Sequence, residues 1–330
     1  MGWLARVIDA GHDYRNSLTE VEDGLFLTQG DRRAKVSQFW VLLVLASAIA
    51  AGGVIGNSTP AVIGAMIVAP LATPIYGVAL ATVTGSRRNL GASLLLLVEG
   101  IVVNILVGVA IGLITFDRMP LTVNPQVTGR TAPTLLDLTV AVFTGIAGSF
   151  ALVRRDVSNI LAGVAIAISL VPVLAVVGIT LGSGAWGMAW GAFILFLTNA
   201  AAIIVAGVVV FTAAGYQRDA AARGAHIGRR AKWVIAVLVV ILVAGLSVAS
   251  ARTYAYQVYV NDTEHAAQTW AEGTQWTVET VDLVGTSIVA TAVGPGDPPS
   301  LDDLKAAVRA KVPSFVPVTI LLGNGLNVKL

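Results

Sequence analysis

Seven apolar runs, at about 38–57, 60–84, 90–116, 134–153, 157–181, 187–214 and 232–251, constrain what this chain can become. Each reaches the roughly 20 residues that an α-helix needs to cross the hydrocarbon of a bilayer. In that medium only helices and closed barrels satisfy their own backbone. Composition agrees, with 56% of residues hydrophobic, 12% charged and a mean hydropathy of +0.80. A soluble chain of 330 residues needs far more charge to cover its surface. The expected fold is a polytopic α-helical membrane protein.

The basic residues set the expected orientation. With the N-terminus inside, the inner segments are 1–37, the loop at Arg87 and Arg88, the loop at Arg154 and Arg155, and 215–232. These hold fourteen of the 21 Lys and Arg residues, and the outer loops hold only Arg118 and Arg130. Seven transmembrane helices follow, with the N-terminus cytoplasmic and the tail outside. Charged residues crowd the first 38 positions without an apolar core, so no cleavable signal peptide is expected. Within 1–37, residues Trp3, Leu4, Val7, Ile8 and Tyr14 suit either an interfacial helix or a partly disordered tail.

Residues 38–251 form the transmembrane domain, and 252–330 an extracytoplasmic α+β domain. In this tail, 258–272 reads as a helix, 275–283 and 286–293 as strands, 300–312 as a helix and 315–322 as a strand. Ser300 with Asp303 is an N-cap signature, and Leu301, Leu304, Val308 and Val312 make one apolar stripe. The order is αββαβ.

The first three spans resemble the next three. GASLLLLVEG at 91–100 aligns with GAFILFLTNA at 191–200, VIGAMIVAPLATP at 62–74 with LAGVAIAISLVP at 161–172, and ASAIAAG at 46–52 with FTGIAGS at 143–149. Three spans per unit force the second copy to run in the opposite sense. The expectation is a 3+3 inverted repeat plus one span, an architecture that places binding at the midplane, where helices are discontinuous.

Polar and broken positions gather at that depth. Glu99 is the one charged residue deep within a run, ~14 Å from the inner end at 1.5 Å per residue, and its repeat partner Asn199 lies ~18 Å from the outer end. Pro70, Pro74 and Pro172 fall at similar depth. A proline lacks the N–H that the carbonyl four residues earlier requires, so Pro70 releases Met66 and Pro74 releases Pro70. Thr73 and Ser169 stand beside these breaks to serve the freed backbone or a solute. Asn104, further along the helix of Glu99, reads as a packing hydrogen bond or a second ligand. Glu99 reads as an ion ligand, a proton carrier, or a neutral carboxyl tying two helices together.

DRRAKVSQFWVLLVLASAIAAGGVIGNSTPAVIGAMIVAPLATPIYG (31–77), RTAPTLLDLTVAVFTGIAGSFAL (130–152), LAGVAIAISLVPVLAVVGI (161–179) and FLTNAAAIIVAG (196–207) resemble domain-of-unknown-function family 389. The resemblance runs from about residue 25 to 215 and rests on the GAM-x-x-AP, TP and LVP segments. Members of that family often carry a second proline beside the LVP, where this chain has Val173. The resemblance implies a bacterial cytoplasmic (inner) membrane protein and supplies no activity.

The chain has no cysteine, and His12, His226 and His265 lie in separate segments, so no metal site or cofactor is expected. Nucleotide-binding and hydrolytic motifs are absent from the sequence, which leaves an enzyme without support. The expected function is a transporter or channel-like permease for a small solute or ion, coupled to a proton or cation through Glu99. The alternative is a membrane sensor or assembly protein whose outer domain binds a ligand or partner. Expected partners are the lipid bilayer and the solute, with no nucleic acid. The glycine pairs 52/56, 108/112, 178/182 and 187/191 mark close helix packing and permit a homo-oligomer.

Overall fold

The computed structural model describes residues 14–115, 121, 124–131, 133–157, 170–224, 229–284 and 287–324. Ser169, His12, His226, Arg118, the segment from Trp3 to Ile8 and the first half of the 157–181 run lie outside these residues. The chain divides into two compact units, Met1–Ser247 and Val248–Leu330.

The first unit is helical. It contains α1 (Leu18–Leu25), α2 (Arg32–Ile55), α3 (Thr59–Val68), α4 (Ala72–Thr84), α5 (Arg87–Ile114), α6 (Pro125–Thr131), α7 (Leu135–Val153), α8 (Val171–Gly182), α9 (Trp186–Ala213) and α10 (Tyr216–Ala222). The helix α11 (Arg229–Ala271) contributes to both units and contains the last apolar run. Four described helices, α2, α5, α7 and α9, are long and apolar enough to cross a membrane. The pair α3 and α4 passes the same test jointly, bent by 46° at its break, and α8 is a shorter apolar helix. Large apolar side chains such as Leu95, Val98, Leu106, Leu113 and Phe143 are exposed on the outside of this array, the arrangement a lipid solvent selects.

The sequence explains the ends of these helices. Ser58 caps α3, with Pro60 in its first turn, and Ser86 caps α5. Gly85, at φ 70°, supplies the left-handed residue that ends α4. Thr134 and Asp137 form a reciprocal capping box on α7.

Glycines bring α5 and α8 together. A Cβ on Gly178 would lie 2.3 Å from the Ile105 carbonyl oxygen, and one on Gly108 would lie 2.8 Å from that of Ala175. Gly112 meets Ile179 and Gly182 meets Val109 in the same way, so the two helices run parallel with their backbones in contact. The 108/112 and 178/182 pairs therefore pack against one another inside the chain, whereas Gly52 and Gly187 have open space where a Cβ would stand. Gly207 on α9 packs closely on Ala79 of α4.

The second unit holds β1 (Thr277–Val284), β2 (Ser287–Gly294), α12 (Leu301–Lys311) and β3 (Val318–Asn324). The sheet order is β1-β2-β3, with β1 antiparallel to β2 and β2 parallel to β3. Parallel pairing requires a crossover, and α12 supplies it. Alternate residues of β2 are buried, and Ile288 joins Ala267, Leu304, Val308, Val312 and Val316 in the core.

Candidate functional site

The two prolines of the broken span have separate roles. Helix α3 ends at Val68, and Ala69, the residue before Pro70, takes the extended conformation that a following proline favours. Helix α4 then starts at Ala72 and carries Pro74 in its first turn, where an N–H has no intrahelical partner to lose. Pro172 occupies the same kind of position at the start of α8. The Pro70 carbonyl, expected to be released by Pro74, accepts from the Thr73 N–H at 3.1 Å and is used within the turn. The Met66 carbonyl does lose its usual donor, because position 70 has no N–H.

Helix α5 shows where these two starts lie. A Cβ on Gly77 of α4 would be 2.6 Å from Ser93 Oγ, and one on Gly100 would be 2.9 Å from Leu71 Cδ2. Helix α4 thus runs antiparallel to α5 and begins at the level of Gly100. Helix α8 runs parallel to α5, and its Ala175 stands beside Gly108. Its first residue, Val171, therefore falls near the level of Asn104, ~6 Å from Gly100 along the helix. Two helices begin here and run away in opposite directions, and neither N-terminus has a side-chain cap.

Asn104 occupies this junction. It lies on the ridge Gly100–Asn104–Gly108–Gly112, between the glycine against the α4 start and the glycine against α8. Its side chain is 0% exposed, and among the described residues neither Nδ2 nor Oδ1 has a hydrogen-bond partner. A buried amide without partners costs about 1–3 kcal/mol, so its place at this junction is chemically significant.

Glu99 is placed differently. Helical phase turns it ~140° from Asn104, off the buried stripe of Ser93, Leu97, Gly100 and Asn104. It is exposed on α5 and lines a groove of about 240 Å³ with Arg32, Trp40, Ser93 and the 25–28 segment. The groove lies on the α2 side of α5, away from the two helix starts. Glu99 and Asn199, expected in one layer, differ in exposure, the first exposed and the second buried. A separate groove with wholly apolar walls, including Leu97, Ile101, Phe196, Ala200 and Trp233, lies between the helices that carry them. Asn199 is 4% exposed, and its Oδ1 has no partner. Thr73 is half-buried in the first turn of α4, and Met66 is buried.

Both ends of the array are tied. At one end Tyr76, Phe211 and Tyr216 stack at centroid distances of 6.2 and 6.0 Å, and the Arg15 guanidinium covers Tyr216 at 4.6 Å. Tyr76 donates to the Gly145 carbonyl at 3.1 Å. The Tyr216 hydroxyl donates to the Asn16 carbonyl at 2.9 Å, and burial pushes this phenol up to about 12. At the opposite end of α2, Asn124 donates to the Val54 carbonyl and Gln126 to Thr59, each at 2.9 Å. Arg130 donates to Gln126 Oε1 at 2.8 Å, and burial lowers its pKa.

Helix α1 is held over the first of these ends by ion pairs. Arg15 pairs with Asp219, Arg155 with Glu20 at 2.6 Å, Arg223 with Glu22 at 3.3 Å and Lys35 with Asp23 at 2.8 Å. The Arg155 hydrogen bond, aided by Ser17, holds the Glu20 carboxyl at about 2, well below its ordinary 4.5. Burial pushes Glu22 the other way. Because the folded value of Glu20 is depressed, its stabilisation is complete above about 4.5 and is lost as pH falls towards 2. Amide exchange in residues 18–25, corrected for intrinsic rate, is expected to accelerate across that window and, at pH 7, in Arg155→Ala. Unchanged protection in both would show that apolar burial of Leu18, Val21 and Leu25 alone holds α1. The S-x-x-E box at Ser17–Glu20 signals α1 in the sequence; its partners, more than 130 positions away, carry no local signal.

In the second unit, His265, Thr269, Trp270, Asp303 and Lys311 line a groove of about 420 Å³ between α11 and α12.

Residues 66–205 match the model of a family described as Domain of unknown function (DUF389). The uncharacterized protein MJ0678 of Methanocaldococcus jannaschii is 34% identical over 177 residues, covering 53% of this chain and 53% of that protein. The chain therefore spans about half the length of this curated relative. No solved structure matches. The matched stretch holds the Pro70 break, Asn104 and Pro172, which belong to the junction described above, and also Asn199. Over residues 66–205 this chain is therefore similar to the family described as Domain of unknown function (DUF389).

Proposed function

We propose that the chain is a seven-span permease for a small solute or ion, a secondary transporter or channel-like protein, with its central site at Asn104. One observation carries this reading: two half-helices start without side-chain caps beside a fully buried amide that has no partner. Discontinuous helices whose N-termini meet inside an array are the binding device of inverted-repeat transporters. The crosswise contacts support the repeat, since Gly108 of the third run packs on Gly178 of the fifth, and Gly207 of the sixth on Ala79 of the second. The reading keeps the N-terminus cytoplasmic, as the basic loops require, and a bacterial inner membrane as the location. The tied ends would make this form an occluded one, with α1 and the Tyr76–Phe211–Tyr216 column as one gate.

Purified protein in liposomes is expected to support solute flux that Asn104→Leu removes. Flux lost in Glu99→Gln and kept in Asn104→Leu would move the pathway to the Arg32–Glu99 groove. Absence of flux for every ion and solute tried would overturn the permease reading.

A further inference from the structure

The chemistry of the junction defines its solute more closely. Each helix N-terminus carries roughly half a positive elementary charge, so the two together offset about one negative charge. The first turns of α4 and α8 present backbone N–H groups that have no intrahelical partner, among them those of Ala72, Val171 and Val173. No acidic side chain opposes them on the buried stripe of α5, since Glu99 faces the α2-side groove. Asn104 adds a second demand. Its Nδ2 offers hydrogens to an acceptor, while its Oδ1, equally buried and unpartnered, needs a donor. A bare halide would satisfy only the first, and a metal cation would face two positive dipole ends.

We infer, resting on the permease reading, that the Asn104 junction takes a small monovalent oxyanion that keeps a hydrogen, of the hydrogen carbonate or dihydrogen phosphate type. Its charged oxygens accept from the two helix starts and Asn104 Nδ2, and its O–H donates to Asn104 Oδ1. On either side of Asn104, Gly100 packs on the Leu71 side chain and Gly108 on the Ala175 carbonyl, so the junction is closely walled. The size limit follows from this.

The test uses full-length protein in liposomes with hydrogen carbonate, dihydrogen phosphate, chloride, nitrate, sodium and potassium as separate probes. The expected result is flux of the hydrogen-bearing oxyanions, at least about tenfold above chloride and nitrate. Asn104→Leu should reduce that flux about tenfold or more, and Asn104→Ser, which retains a donor and an acceptor, should restore part of it. In parallel, hydrogen carbonate should raise the melting temperature of the wild type in detergent and leave that of Asn104→Leu unmoved, a readout independent of transport. Equal flux of chloride and hydrogen carbonate would overturn the donor requirement. Asn104-dependent flux of cations alone would overturn the anion assignment and leave the permease reading standing. No flux of any probe, with no thermal shift, would sink both.

Discussion

Gly178→Ala is expected to cost about 3 kcal/mol or more and to lower the melting temperature by roughly 10 °C. The added methyl would sit 2.3 Å from the Ile105 carbonyl oxygen and 2.7 Å from Gly108 Cα, both backbone atoms. No rotamer change can relieve such a clash, so α5 and α8 must separate along the seam that also contains Gly112 and Gly182. Overpacking a core by one methylene ordinarily costs 1–3 kcal/mol, and a backbone-limited site belongs at the upper end. Gly187→Ala is the control, because its Cβ would meet nothing within 4 Å and helix propensity favours alanine. Thermal melts and size-exclusion profiles in detergent should show Gly178→Ala strongly destabilised and Gly187→Ala unchanged or slightly more stable. Equal melting of the two variants would mean that the seam yields, and that Gly178 and Gly108 do not set the helix spacing.

The same seam shows which links were legible in the sequence. The glycine pairs announced close packing, but spacing alone cannot say that 108/112 meets 178/182 while Gly187 meets nothing. That requires knowing that α5 and α8 run parallel, which is a long-range property. The proline breaks were legible as breaks; their division of labour was not, because it depends on where the second half-helix starts. In the C-terminal unit, the Ser300 cap and the Leu301–Val312 stripe located α12, and the alternation of β2 located its buried face. The parallel pairing of β2 with β3 was left open by the order of elements alone.

Charge and helical phase single out different residues of α5. Glu99 stands out in an apolar run, and an intramembrane acid is a functional candidate by default. Phase outranks rarity here. Ser93, Leu97, Gly100, Asn104, Gly108 and Gly112 recur at three- and four-residue spacing, and this stripe is the face that α5 buries. Glu99 is off it and Asn104 is on it. Arg32, assigned by the sequence to the segment ahead of the first span, reaches the groove of Glu99 because α2 begins there with Asp31 as its cap. Apart from Lys35–Asp23, the ion pairs around α1 join residues 135–204 positions apart, and nothing local encodes such pairings.

Asn104→Leu is expected to make the protein more stable while removing transport. The amide is 0% exposed and both of its polar atoms are unpartnered, so the native state bears the desolvation penalty of both. Leucine is of similar size, has no polar atom and favours helix more strongly than asparagine. The substitution should therefore add about 2 kcal/mol and raise the melting temperature by roughly 4–8 °C. A residue that costs the fold this much, at the meeting point of two helix starts, is best explained by a solute that supplies its missing partners. Stability and function would then move in opposite directions at one position, as they do where an active site holds polar groups ready for a ligand. Melting curves and liposome flux measured on the same preparations decide the matter. A variant that melts lower than the wild type would show that Asn104 makes a structural hydrogen bond in the membrane. A variant that melts higher and still transports would leave the helix starts alone to bind the solute.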